Sequence, residues 1–303
     1  MTSENPVVTV GLPVFNGENY LNEALESLMS QDFEDFELVI SDNASTDSTR
    51  LILKEWAAKD ARVKVCLNDR NVGGAANFNR VLALAKGEYF RWASHDDLVA
   101  PEMLRRCMTV IEEEGPSCVL VYPQTVVIDG EGSAVEVFDN NLDLGSSDPV
   151  DRLRAFIENY TRSNVIFGLM RTEAIKSTGG IPDFNPGDVV MIAALALRGR
   201  FVEIPEPLFM RRVHEEMSWK ASKTPEGFTQ WFNPDRDPLI VFPRWRAWRG
   251  MIRVAWSSPF TMGEKVRATA VVLLAWPNRY RSQLFREITR MPKVLLRRTI
   301  RSR

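Results

Sequence analysis

Short β-rich runs alternate with stretches of helical periodicity through the first hundred residues, and this alternation limits the chain to few architectures. Val7 to Val14, Phe36 to Ile40, Val63 to Leu67 and Tyr89 to Ala93 read as strands. Between them, Leu21, Ala24, Leu25 and Leu28, then Leu51, Ile52, Trp56 and Ala57, then Phe78 to Ala85 carry the spacing of helix faces. Strands that alternate with helices at this pitch pair in parallel and build a doubly wound α/β sheet. Polar clusters follow the strands, and in an open α/β sheet the crevice beyond the strands' carboxyl ends is where ligands bind.

The pattern continues less regularly. A helix is expected over Glu102–Glu114, a strand over Val119–Tyr122, a hairpin around Asp129-Gly130-Glu131-Gly132 and a surface loop from Asn140 to Pro149. Asp151–Tyr160 reads as helix, Val165–Met170 as extended, and Val189–Leu197 as an apolar helix opened by Pro186-Gly187-Asp188. Phe201 to Val213 is extended but carries Pro205 and Pro207, which suits an edge or irregular strand. Residues 218–243 show no clear period, and Arg244–Trp256 and Gly263–Trp276 read as short helices rich in Trp and Arg.

Charge is distributed unevenly. Residues 239–303 hold 15 Lys and Arg against Glu264 and Glu287, whereas the remainder holds 23 basic and 38 acidic residues. The tail therefore has a different role from the body. Three cysteines without C-x-x-C spacing favour buried thiols in a reducing compartment and no structural disulfide. No uncharged run reaches the ~18–20 residues that span a bilayer, and the amino terminus lacks a signal-peptide pattern.

Neither a P-loop nor a strand-associated G-x-G-x-x-G occurs, a G-x-S-x-G elbow is missing, and two histidines leave little room for a His-rich zinc site. What remains is a set of acids and amides at strand ends. The fourth strand runs into Ser94-His95-Asp96-Asp97 before Pro101 opens a helix. Two adjacent carboxylates there suit a hard cation carrying a phosphate, or else one of them caps the helix. Asp42 closes the second strand, as a ligand to nucleoside hydroxyls or as an Asx-turn residue, and Asp47 is placed to cap the following helix.

Four segments in order, Val10–Leu21 with its Pro13-Val14-Phe15-Asn16-Gly17-Glu18 turn, Val39–Asp47, Asn71-Val72-Gly73-Gly74 followed by Asn77, and Trp92–Asp97, resemble the family 2 glycosyltransferases of GT-A fold. The resemblance covers roughly residues 6–215. It implies a Rossmann-like, nucleotide-diphospho-sugar transferase fold with a mostly parallel central sheet; beyond it, composition gives a helical, basic and aromatic carboxyl-terminal extension. A catalytic domain is expected over 1–217, with a donor half to about 123 and an acceptor half over 124–217, and the extension over 218–303.

By the same resemblance, Pro13, Phe15, Asn16, Glu18, Asp42, Asn71, Gly73, Asn77, Ser94, His95 and Asp96 line the sugar-nucleotide site. The usual D-x-D-D reads Ser94-His95-Asp96-Asp97 here, so serine replaces the first acid, and Asn43 replaces a second Asp after Asp42. Mg²⁺ or Mn²⁺ is expected on Asp96 and Asp97, with His214 as a further ligand. Arg211 or Arg212 neutralises the leaving diphosphate. Asp188 is expected to be the catalytic base, since a sugar hydroxyl is a poor nucleophile until its proton is removed; the alternative reading is a helix cap.

The expected reaction is inverting transfer from a UDP-, dTDP- or GDP-linked sugar to a glycan or lipid-linked acceptor in bacterial cell-surface glycan or glycolipid assembly. The rivals are a catalytically silent sugar-nucleotide-binding or membrane-scaffold protein and a nucleotidyltransferase. Trp245, Trp248, Trp256 and Trp276 interleave with arginines in the tail, a composition suited to an anionic membrane surface. The alternatives are a helical cover on the catalytic domain or a homodimer contact; no nucleic acid partner is expected. The expected location is the cytoplasm, peripheral on the inner face of the plasma membrane.

Overall fold

A computed structural model describes residues 5–138, 142, 144–215, 217, 224–235 and 242–301. Parts of the expected loop at Asn140 to Pro149 and of the aperiodic stretch 218–243 lie outside the described residues.

The amino-terminal half alternates as its periodicity requires: β1 (Val8–Val14), α1 (Leu21–Met29), β2 (Phe36–Asp42), α2 (Thr49–Lys59), β3 (Val63–Leu67), α3 (Gly74–Leu84) and β4 (Tyr89–Trp92). Strands β3-β2-β1-β4 form a parallel block. Every residue of β1 and β2 is buried, as expected of central strands covered on both faces. Period-two alternation divides their side chains between two cores. Val8, Val10, Leu12, Leu38 and Ile40 pack with α1 and α2, whereas Val39 and Phe90 join Val81 and Leu82 of α3 in the other layer.

The second half is mixed. After the two-residue β5 (Leu98–Val99) and α4 (Met103–Glu113) come β6 (Cys118–Ile128) and β7 (Ala134–Phe138), which form the expected antiparallel hairpin. Then follow α5 (Pro149–Asn159), β8 (Leu169–Arg171), α6 (Thr172–Ser177), α7 (Gly187–Arg198) and β9 (Arg200–Arg212). Strand β8 inserts antiparallel between β4 and β6. The segment expected to be extended over Val165–Met170 is instead a 3-10 helix, Ser163–Phe167, followed by this short strand.

Strand β9 is not an edge, because it lies between β6 and β5. Its prolines are accommodated by a break in register: Ile204 pairs with Pro123 and Phe209 with Thr125, so Pro205 and Pro207 fall in the unmatched stretch.

The carboxyl-terminal helices are α8 (Pro225–Phe232), α9 (Pro243–Ser257) and α10 (Met262–Arg301). The last is much longer than the helix expected to end at Trp276. It runs through Pro277 and departs from helical geometry at Tyr280. Ala247, Met251, Val272 and Trp276 are buried in the same core as α5 and α7.

Candidate active site

The loops after β1 and β2 are stitched into one ledge. Asn16 adopts a positive φ of 50°, donates its N–H to Ser45 Oγ (2.9 Å) and accepts from Thr46 N (2.9 Å). Glu18 Oε2 accepts from Ser48 N (2.8 Å), and Glu18 N donates to Asp47 Oδ2 (3.1 Å). Asp47 also accepts from Thr49 N (3.1 Å), so it caps α2 from one residue before the capping position itself, which Ser48 occupies.

Behind the ledge lies an amide network. Asn43 donates to Asn71 Oδ1 (2.9 Å) and accepts from Asn68 Nδ2 (3.0 Å) and Val72 N (2.9 Å). Asn77, in the first turn of α3, accepts from Ser41 Oγ (2.7 Å) and donates to Ser41 O (2.9 Å). Asn71 Oδ1 also accepts from Gly73 N (2.8 Å). The amide at position 43, where an acid was the family expectation, thus holds the loop leading to Gly73. Asp42 is fully buried; Arg50 Nε donates to it (2.8 Å), and Ser45 N approaches both its oxygens.

Across the cleft from the ledge, β4 leads into Ser94-His95-Asp96-Asp97. The Ser94 hydroxyl donates to Asp96 Oδ1, and His214 Nε2 lies 3.0 Å from Asp96 Oδ2. Burial pushes the Asp96 carboxyl up, but the His95 charge and the hydrogen bonds from His214 and Ser94 outweigh it and hold the group well below the usual carboxylate range. Burial and the neighbouring Asp96 charge push Asp97 well above it, against Arg211 and Arg212. Asp97 Oδ1 accepts the Arg212 backbone N–H (2.9 Å), so this carboxyl is tied to β9.

The adjacent arginines diverge. Arg212 is buried, donating to Asp96 O (2.9 Å), Gly130 O (2.9 Å) and Glu23 Oε2 (2.5 Å), with its guanidinium 4.8 Å from the Tyr20 ring centre. Arg211 contacts Asn164 Oδ1 (2.5 Å) and has no ion pair among the described residues.

These parts enclose a cleft of about 570 Å³ whose walls include Pro13, Phe15, Asn16, Glu18, Asn71, Asn77, Ser94, His95, Asp96, Asp97, Arg211, Arg212 and His214. Asp42 and Gly73 are not among its lining residues, and both act from behind it. A second cavity of about 360 Å³ adjoins it, with Gly74, Phe78, Phe167, Arg211 and Trp231 lining both. Asp188 opens into this second cavity. Helix α7 starts at Gly187 with Pro186 at the cap position, so Asp188 sits inside the first turn and is not the N-cap residue.

The sequence reading missed the aromatic wall between and around these cavities: Phe78, Phe167, Phe228, Trp231 and Tyr280. Phe228 and Trp231 stack at 5.4 Å with an interplanar angle of 7°. Their spacing on α8 was the available signal, but nothing in a single sequence places α8 beside α3.

The donors suit a hard divalent cation that keeps most of its ligands as water and substrate phosphate. Among the described residues no three His, Cys, Asp or Glu side chains close a metal cage. Asp96 offers a carboxylate, and the buried Nδ1 of His214 has no hydrogen-bond partner, leaving capacity for an ion or ligand group.

The chain belongs to glycosyl transferase family 2, whose pattern matches residues 9–167, just over half of it. It is 31% identical over 126 residues to an uncharacterised glycosyltransferase of Rickettsia typhi, covering 41% of this chain and 38% of that one. It is 28% identical over 138 residues to TuaG of Bacillus subtilis, a putative teichuronic acid biosynthesis glycosyltransferase, covering 46% and 54%. The match thus spans about two fifths to one half of these relatives.

In fold the chain is similar to S. aureus TarS in complex with UDP, with a TM-score of 0.63 and 21% identity over 91% of this chain and 72% of that one. It is also similar to the mannosyltransferase PcManGT of Pyrobaculum calidifontis in complex with GDP-Man and Mn²⁺, with a TM-score of 0.53 and 18% identity over 94% and 85%. The α/β GT-A fold expected from the sequence is the fold observed.

Proposed function

We propose that this protein is an inverting, metal-assisted glycosyltransferase that moves a sugar from a nucleoside-diphosphate sugar to an acceptor hydroxyl in cell-surface glycan assembly. The observation that carries the reading is the adjoining pair of cavities. Asp96 with His214 opens into one and Asp188 into the other, and Arg211 lines both. Nucleotide-sugar binding is supported by neighbours solved with UDP and with GDP-Man and Mn²⁺, and a surface-glycan role by the likeness to TuaG.

The ledge Pro13–Glu18 and the amides of Asn43 and Asn71 hold the nucleotide. Asp96 and His214 would hold the cation, which when bound neutralises the diphosphate. Arg211 takes up the charge that grows on the departing phosphate oxygen. Asp188 accepts the proton of the acceptor hydroxyl as its oxygen attacks the anomeric carbon. The bond from that carbon to the diphosphate breaks in the same displacement, so the configuration inverts and nucleoside diphosphate leaves.

The protein acts from the cytoplasmic face of a membrane. Among the described residues no helix is long and apolar enough to cross one. Helix α10 instead exposes Met262, Val266, Leu273, Leu274, Phe285 and Ile288, with Arg281 and Arg286 exposed among them. Met262, Val266 and Leu273 recur at spacings of four and seven, and Phe285 and Ile288 lie three apart beyond the break at Tyr280, so each segment of the helix carries exposed apolar residues on one face.

The test is nucleoside diphosphate release from a panel of UDP-, dTDP- and GDP-sugars with Mn²⁺ and a glycolipid extract as acceptor. Asp188→Asn should lower turnover by roughly 10²–10⁴-fold, the contribution of a positioned base, with nucleotide affinity retained. Near-normal turnover in that variant would remove Asp188 from the reaction.

A further inference from the structure

The cavity that holds Asp188 is completed by residues beyond the family match. Tyr160, Phe228, Trp231, Arg244 and Tyr280 line it together with Asp188, and all but Tyr160 come from the carboxyl-terminal helices. Aromatic faces at this density suit the apolar C–H faces of a sugar ring.

Arg244 adds a second requirement. Arg244 is half-buried, and its guanidinium stacks 4.4 Å from the Tyr280 ring centre. It has no ion pair among the described residues; Glu287 accepts from the backbone N–H groups of Arg244 (3.0 Å) and Trp245 (3.5 Å). Arg244 lines only the acceptor-side cavity, whereas Arg211 lines both. A stacked guanidinium with no ion pair among the described residues is a ready partner for an oxyanion, which it binds through a planar fork.

We infer that the acceptor is an anionic sugar, carrying a carboxylate or phosphate on or next to the ring that presents the hydroxyl, and that Arg244 determines this specificity. The inference rests on the glycosyltransferase reading of the same two cavities. Arg244 binds the oxyanion while Phe228, Trp231 and Tyr280 hold the ring, which fixes the distance from the charged group to the hydroxyl facing Asp188. Removing Arg244 should therefore affect acceptor recognition and leave the nucleotide cleft intact.

The test uses full-length protein saturated with UDP or GDP and Mn²⁺, and three probes: methyl glucoside, methyl glucuronide and methyl glucoside 6-phosphate. Their affinities are measured by saturation-transfer NMR and titration. At least one charged probe should bind roughly tenfold more tightly than the neutral one, the scale of a charge-assisted pair, and the preferred probe separates carboxylate from phosphate. Arg244→Gln should abolish the preference, Arg244→Lys should restore part of it, and nucleotide affinity should be unchanged in both.

Equal affinity for the three probes, no binding of any of them up to about 50 mM, or a preference that survives Arg244→Gln would overturn the inference. Failure of the unsubstituted protein to bind any nucleoside diphosphate overturns the donor reading and this inference with it. Nucleotide binding without a charge preference overturns this inference alone.

Discussion

Arg211 and Arg212 are neighbours on one strand with opposite duties. Side chains alternate across a strand, so one of the two must turn away from the cavity wall shared with Asp188. Arg212 turns to Glu23, Gly130 and the Asp96 carbonyl. Replacing it with Ala leaves the buried Asp96 carbonyl without its donor, at roughly 1–3 kcal/mol, frees the half-buried Gly130 carbonyl and breaks the contact with Glu23, and should lower the unfolding free energy measured by urea titration. Arg211→Ala removes a donor to the buried Asn164 Oδ1 and should cost less in total, about 1–3 kcal/mol, yet lower turnover at least tenfold. The reverse pattern would exchange their roles. The sequence carried both arginines, His214 and the Asp pair as candidates. It did not reveal that His214 would bond Asp96, since the two are joined only when β9 lies beside β5. Nor could the burial of Asp42 against Arg50 be read, because seven residues of intervening loop and helix decide where that arginine points.

At the scale of elements, the site depends on α8 resting on the start of α3. Gly73 has φ 86° and ψ 162°, a region open essentially to glycine alone. A Cβ there would also lie 2.6 Å from Phe232 O and 2.7 Å from Pro234 Cδ. At Gly74 it would meet the Trp231 ring at 2.8 Å. Gly73→Ala should therefore cost about 1–3 kcal/mol from backbone strain and push α8 away, shifting Trp fluorescence and weakening nucleotide binding together. Wild-type stability and fluorescence in this variant would show that α8 does not rest on that turn. The loops themselves were legible, because Pro13-Val14-Phe15-Asn16-Gly17 and Asn71-Val72-Gly73-Gly74 carry turn chemistry at the ends of recognisable strands. Their partners were not: α8 lies about 150 residues further on in an aperiodic stretch, and periodicity reports what faces a core without saying which core.

For the molecule as a whole, the basic extension has both an interior and an exterior role. Trp245, Trp248 and Trp276 donate their indole N–H groups to Leu284 O (3.3 Å), Val272 O (3.1 Å) and Arg244 O (3.1 Å), so these three turn inward. Composition alone had placed them at a membrane surface; Trp256, 46% exposed, is the one that remains outside. Deleting residues 239–303 would strip a shared core, since loss of Trp276 alone should cost about 3–5 kcal/mol. Truncation therefore cannot report on membrane binding, and the question moves to the exposed apolar residues of α10. Leu274 and Phe285 are 74% and 67% exposed, with no core role to lose. Paired replacement by Glu, Leu274→Glu with Phe285→Glu, adds two anions to a face that would approach anionic lipid and removes two apolar anchors. The variant should keep its unfolding free energy and its nucleotide affinity. Its flotation with phosphatidylglycerol-containing liposomes should fall at least tenfold relative to the unsubstituted protein, roughly what two apolar anchors contribute. Equal flotation of the two proteins, or no flotation of either, would reassign these residues away from the membrane.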